Sequence, residues 1–396
     1  MVRFYTALTK EIDDPQAAAE EILEQLKPEE TMLKNTIGII YFYHEFAKMD
    51  IWQPFVSAMP FELAGCVSSY TGTNGQHGDA AVSVTMITSD DAWFVVRTID
   101  GLEEKQRRQI YSEVNNLCDE MCTEEMPKLI MPFLSPLPHF SIDNLFHSIR
   151  MYNDSLLFFG MQTFNTSESE NTNFVFGNGK MSVSKCVFVG FYGNIDPRFH
   201  IGSSIQSEKI LGEEAVITES DGPLLKSVNG IPALNFFRKK GLLSSDNTGA
   251  GIMAISAHII YSNGDKAGCA FLGIANNTEY VYAARSLEIG AKITFTYIEG
   301  DKILATTENV MREIKDMRRN DILIFTSVAR ALSLETNFFA ELKKISSCAE
   351  VYEKETGTPL RYNAVYTGGE ICPVFNDSGK YINMPHNYTF SVCSFN

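Results

Sequence analysis

Long apolar runs are missing from this chain of 396 residues. Stretches such as Ile37–Tyr43 fall far short of the roughly 20 residues that span a bilayer, so no membrane insertion is expected. No secretory leader is expected either, because Met1–Lys10 has no apolar core segment. Positive charge is scarce: 33 Lys plus Arg stand against 49 Asp plus Glu, for a net charge of −16 and a pI near 4.9. A surface that acidic repels phosphate backbones, which excludes nucleic acid and anionic membranes as partners. The common enzyme signatures are absent as well. There is no P-loop, GxSxG elbow, HExxH or EF-hand pattern, and Gly177-Asn178-Gly179 lacks the third glycine of a dinucleotide fingerprint.

What is present describes a folded chain. Hydrophobic residues make up 44% and charged residues 21%, enough apolar surface for two domains or one large domain in two halves. Eight cysteines lie among apolar neighbours, as in Lys185-Cys186-Val187-Phe188, and read as reduced thiols of a cytoplasmic protein. Cys118 and Cys122 share a helix face, but no second pair at ligand spacing accompanies them and no metal is expected.

The pattern along the chain predicts an α+β fold. Asp14-Pro15 opens a helix with Ala18, Ile22 and Leu26 on one face. Strands are expected at Ile37–Tyr43, Phe61–Val67, Ala80–Thr88 and Ala92–Thr98, with an amphipathic helix over Glu103–Cys122. Prolines at 127, 132, 136 and 138 mark a break, after which a β-rich middle segment runs to about Arg285. Ile322–Ser327, Glu335–Glu355, Arg361–Tyr366, a Gly-rich loop and Asn387–Phe395 then repeat the strand, helix, strand, loop, strand order of the first part. Two related α/β units with mixed sheets are therefore expected. The boundaries read as a helical lead-in over 1–34, an N-terminal part over 35–229 and a C-terminal part over 230–396.

Candidate site residues cluster late in the chain. Tyr366-Thr367-Gly368-Gly369-Glu370-Ile371-Cys372-Pro373 combines two glycines, which allow close backbone approach, with an acid beside apolar residues. It reads either as a ligand-binding turn, with Glu370 receiving an ammonium group, or as a solvated β-turn. Arg330 follows a strand at its carboxyl end, where it either forks onto a ligand carboxylate or bridges acidic surface. Cys66 opens a polar loop; it is either a small residue filling tight space or a nucleophile needing His77 or His386 as base. His200 and His258 sit in apolar contexts, as satisfied core histidines do.

Five segments then fall in a telling order: Gly65-Cys66-Val67-Ser68-Ser69, Val228-Asn229-Gly230-Ile231-Pro232-Ala233-Leu234, Thr326-Ser327-Val328-Ala329-Arg330, Tyr366-Thr367-Gly368-Gly369-Glu370-Ile371 and His386-Asn387-Tyr388-Thr389. This order resembles FIST (F-box and intracellular signal transduction) sensory domains, from about residue 35 to the end. Two positions depart from the family: the loop after Cys66 carries no acid, and Ser327 stands where a cysteine is usual. The resemblance implies a bacterial, cytoplasmic, non-enzymatic input module that binds a small molecule such as an amino acid and serves a histidine kinase, diguanylate cyclase or chemoreceptor. No output domain is visible, so the chain is expected to act through a partner or to be part of a longer protein. The ligand-binding set expected is Arg330, Tyr366, Gly368, Gly369, Glu370, His386, Asn387 and Cys66, with no catalytic residues. No cofactor is required. Some relatives bind haem, so a haem-based nitric-oxide sensor with His200 or His386 as axial ligand, and a Cys66 thiol enzyme, stand as alternatives.

Overall fold

The computed structural model describes residues 2–48, 52–136, 141–164, 171–205, 214–243, 255–262, 264, 266–274, 278–375 and 379–395. The chain lays down β1 (Arg3–Thr9), α1 (Pro15–Leu26), a short turn α2 (Pro28–Thr31), β2 (Asn35–Phe42), α3 (His44–Lys48), α4 (Trp52–Ala58), β3 (Glu62–Val67), a hairpin β4 (Thr71–Thr73) and β5 (Gln76–Gly78), and β6 (Val82–Ser89). Asp14 caps α1 by accepting from the amides of Gln16 and Ala17, and the helix ends at Lys27 in the left-handed region before Pro28. The stretch expected as a helical lead-in thus also holds a strand, β1, paired with β6.

A second stretch repeats this plan: β7 (Ala92–Asp100), α5 (Arg107–Met121), β8 (Leu129–Leu134), α6 (Ile142–Tyr152), β9 (Gly160–Gln162), a hairpin β10 (Val175–Gly177) and β11 (Lys180–Ser182), and β12 (Lys185–Gly193). A third begins with β13 (Arg198–Ser203) and is interrupted by β14 (Ala215–Asp221), β15 (Leu224–Val228), β16 (Ile231–Pro232), α7 (Ala233–Lys239), β17 (Ile255–Ile260), β18 (Lys266–Ile274), β19 (Val281–Ala283) and β20 (Lys292–Thr296). It resumes with α8 (Gly300–Asp316), β21 (Asp321–Ser327), α9 (Val328–Ser333), α10 (Ala340–Thr356), β22 (Arg361–Thr367), a hairpin β23 (Gly369–Phe375) and β24 (Tyr381–His386), and β25 (Thr389–Phe395).

The two α/β units expected from the sequence are there, and a third sheet follows the same plan. The orders β1-β6-β2-β3, β7-β12-β8-β9 and β13-β25-β21-β22 are equivalent, with two antiparallel pairings followed by one parallel pairing in each. Each sheet is completed by a hairpin from another unit. β10–β11 adds to β3, β23–β24 adds to β9, and β4–β5 adds to β22.

The inner faces of the three sheets share one core, and their outer faces are covered by helices: α1 and α4, α5 and α6, α8 and α10. Register makes Tyr41, Phe133 and Phe325 equivalent, since they oppose Ser83, Val187 and Ser391 on one side and Cys66, Met161 and Val365 on the other. Those rings meet at the centre, Tyr41 lying 6.1 Å from both Phe133 and Phe325.

The β-rich insertion is a separate closed ring, β14-β20-β17-β18-β19-β15, because β15 pairs back onto β14. Phe236 and Phe237 of α7 pack with Phe271 and Phe295 inside it. The barrel meets the three-unit body along a seam of Ile205, Ala270, Ala329 and Tyr388. A buried Arg285–Asp143 ion pair crosses that seam, with Arg285 also donating to the Gly268 carbonyl at 2.8 Å. Among the described residues, no helix is long and apolar enough to cross a membrane.

Because Phe133 sits where the three sheets meet, Phe133→Ala should cost about 3–5 kcal/mol. Urea denaturation should show one shifted transition for the body; a separate early transition for a single unit would refute the shared core.

Candidate functional site

The Gly-rich segment is not a solvated turn. Gly369–Phe375 is a strand in the sheet begun by β9, placed by a register with Gly160–Gln162 that lies far away in sequence. The two glycines differ in role. A side chain at Gly368 would meet the Thr163 carbonyl at 2.5 Å, so glycine there allows close packing, and its amide donates to the Gln162 carbonyl at 2.9 Å. At Gly369 an added side-chain carbon would fit in ordinary van der Waals contact with Asn387 Nδ2 and the His386 carbonyl, both at 3.8 Å, and with Gln162 Oε1 at 3.9 Å, a niche of about one methyl group.

Beside this niche lies Glu370, fully buried. It accepts hydrogen bonds from the hydroxyls of Thr367 and Thr389, and no cation pairs with it directly. Burial pushes its carboxyl up to about 8, against the lowering effect of the two threonines and of the more distant Arg330. Burial thus favours the protonated form of Glu370. Asn387 is only 5% exposed, and its Nδ2 lies 3.8 Å from where a side chain at Gly369 would begin.

Other expected members of the set are engaged elsewhere. Arg330 does follow β21, but it is 0% exposed and its guanidinium belongs to the protein. Nε donates to Glu341 Oε1 at 3.1 Å; Nη2 reaches the Ile303 carbonyl at 3.0 Å and Thr307 Oγ1 at 2.9 Å, as well as Glu341; Nη1 reaches Ser204. The Tyr366 hydroxyl, expected to line the ligand, donates to Glu341 Oε2 at 3.0 Å, and Thr326 donates to the same oxygen. His386 Nε2 lies 3.0 Å from the Cys372 carbonyl, and burial lowers the ring to about 4. Arg330, Tyr366 and His386 are thus held by internal partners, as Glu370 is by its two threonines, and Gly369, Glu370 and Asn387 lie around the niche.

Glu341 is the residue the sequence reading missed. It shares a helical face with Ile345 and Tyr352, and a carboxylate on an otherwise buried stripe is a sign of an internal cation partner. Gln162 was also missed, because only the distant β9–β23 register brings it here.

Cys66 belongs to the central core. It is fully buried with its sulfur 3.6 Å from Met161 Sδ, and burial pushes the thiol well above its usual value. All eight cysteines are free thiols. His77 lies instead in a surface cleft of about 500 Å³ with Lys10 and Glu21, so it is no base for Cys66. His200 places Nδ1 3.4 Å from Glu313 and leaves Nε2 without a partner. His258 is not a satisfied core histidine: both ring nitrogens are buried and unpartnered, and burial lowers it to about 4.

Two outcomes follow from this electrostatic arrangement. Arg330→Met leaves Glu341 buried and unpaired and should cost about 3–5 kcal/mol in chemical denaturation, while adding Glu341→Leu should recover most of the loss. Glu370 has a folded pKa raised above the unfolded carboxyl value, so its contribution to stability is fully present below about pH 4.5 and is lost as pH rises through about 8. Glu370→Gln should therefore gain stability relative to the parent chain at pH 8.5 but not at pH 4. Equal pH profiles for the two would show that Glu370 titrates normally.

The family model described as the FIST N domain matches residues 36–231, which run from β2 of the first unit through the second unit and β13 into the first strands of the barrel. No curated protein matches the chain. Among solved structures, PurLQS from Thermotoga maritima aligns over 100% of this chain and 72% of its own, at 8% identity and a TM-score of 0.21, a likeness that carries no argument here. The chain belongs to the FIST domain family, a family of signal-transduction sensor domains.

Proposed function

We propose that this chain is a cytoplasmic, non-enzymatic sensor module in which the niche at Gly369 takes a small amino acid or carboxylated metabolite. Binding would be relayed to a signalling partner such as a histidine kinase, a diguanylate cyclase or a chemoreceptor. The observation that carries the reading is the convergence of the Asn387 amide and Gln162 Oε1, within 3.9 Å of where a side chain at Gly369 would begin, beside the buried Glu370. Its carboxamide can donate to a ligand carboxylate, and Gln162 offers a further polar contact from the other side. Glu370 supplies the acid for an ammonium group, whose charge would return the carboxyl to its ionised form. The family's sensory role supports the relay. The core position of Cys66 argues against a thiol enzyme.

Thermal denaturation of the purified chain against the twenty amino acids, small carboxylates and haemin tests this. A ligand at about 100 times its Kd stabilises by about 2.7 kcal/mol, a rise of a few degrees in Tm. One amino-acid or carboxylate class should give that rise. Gly369→Ala should abolish it while keeping the unliganded Tm, because neighbours at 3.8 Å tolerate the methyl group. Silence across the panel, or a rise unchanged in the variant, removes the niche as the site. A response confined to haemin would replace the reading with a gas sensor.

A further inference from the structure

A second cleft, of about 640 Å³, lies at the other end of β21 and β22. Asp321 opens β21 and Ser327 ends it, so six steps of about 3.3 Å put the two ends roughly 20 Å apart. Four arginines line the cleft, Arg3, Arg318, Arg319 and Arg361, together with Asp321 and Tyr5. Four guanidinium groups against one carboxylate is a local excess of positive charge in a chain whose net charge is −16.

Internal pairing uses only part of this charge. Arg361 forks onto Asp321, Nε to Oδ1 and Nη2 to Oδ2 at 2.8 Å, which leaves Nη1 free. Arg319 reaches over to Asp196 at 2.8 Å. Arg3 and Arg318 are exposed and have no side-chain partner among the described residues. A cation near the carboxyl end of α8 is favoured by the helix dipole, which accounts for Arg318 and Arg319. It does not account for Arg3 and Arg361, which enter from the ends of two other strands. Arg318 also sits at φ 54°, a left-handed position just past α8 where glycine is the easier residue. Like charges converging from three directions repel one another unless an anion joins them.

We infer that this cleft is a binding site for a small polyanion, a compound bearing at least two phosphate or carboxylate groups. Arginine forks match either group in two-point geometry, and a monoanion would leave the cleft's charge uncompensated. The volume suits a small molecule. Tyr5 supplies a flat face for the ligand's uncharged part. The site is independent of the Gly369 niche.

Calorimetric titration of the full chain at low salt, with pyrophosphate in one arm and tricarballylate in the other, tests the inference. One or both should bind saturably at one per chain, and the tighter arm names the phosphate or the carboxylate class. The double variant Arg3→Gln/Arg318→Gln changes only exposed side chains, so it should keep the parental Tm while binding at least tenfold more weakly. Gly369→Ala should bind with parental affinity, which separates failure here from failure at the niche. Heats that do not saturate in either arm, or equal affinity in the double variant, would overturn the site.

Discussion

No sheet of the three-unit body is completed by its own stretch of chain. β3 takes its outer neighbour from the second unit, β9 from the third, and β22 from the first. Each lent hairpin satisfies a strand edge that would otherwise expose unpaired amides and carbonyls. The exchange runs in a circle, so removing any unit opens the edge of one remaining sheet and leaves another unit's hairpin without its partner strand. The common core reinforces this, since Tyr41, Phe133 and Phe325 each bury their rings against the other units. Unit-by-unit stability is excluded by that geometry: the apolar inner face of each sheet finds its cover only when all three are present.

The same exchange builds the candidate site. The β23–β24 hairpin leaves the third unit to join the second, and the chain returns through His386, Asn387 and Tyr388 before β25 begins. Glu370 and Asn387 sit where the hairpin departs and returns, against Gln162 of the unit that receives it. Arg330 and Glu341 hold the neighbouring end of β21 from beneath, tying α8, α9, α10 and β22 into one buried hydrogen-bonded network. A buried pair of this kind fixes geometry more than it adds stability. It also explains why the arginine is unavailable to a ligand while the acid 40 positions later is not matched by a cation.

Local elements were legible in the sequence because local rules govern them. The Asp14-Pro15 cap predicts α1, and the apolar run Ile37–Tyr43 predicts β2. The repeated strand order exposed the first and last units, whose parallel strands are long and uninterrupted. The middle unit was hidden, because Pro132 interrupts the apolar reading of β8 and β9 is only Gly160–Gln162. Strand β1 was hidden by its brevity of pattern, and β23 by Glu370 and Pro373, residues that strands usually exclude. Side-chain partners were the least legible part. Arg330 was singled out correctly as a cation at a strand end, yet its partner Glu341 depends on the packing of α10, and the niche at Gly369 depends on a pairing across some 200 residues of sequence.

The seam between body and barrel is where a binding event could become a signal. The Asn387 carbonyl lies 3.4 Å from where a side chain at Gly268 of barrel strand β18 would begin, and its amide lies beside Gly369. On the barrel side, His258 keeps two buried ring nitrogens without partners, and across the seam the Tyr388 hydroxyl is also unpaired. Each unpaired buried group costs free energy, and the central core carries one as well in the Tyr41 hydroxyl. A ligand can shift such a junction only by as much as its affinity differs between two arrangements. The three-unit body is interlocked by its lent hairpins and shared core, whereas the barrel is joined to it through Ile205, Ala270, Ala329 and Tyr388 and the Arg285–Asp143 ion pair, so any such difference has to be expressed in those few contacts.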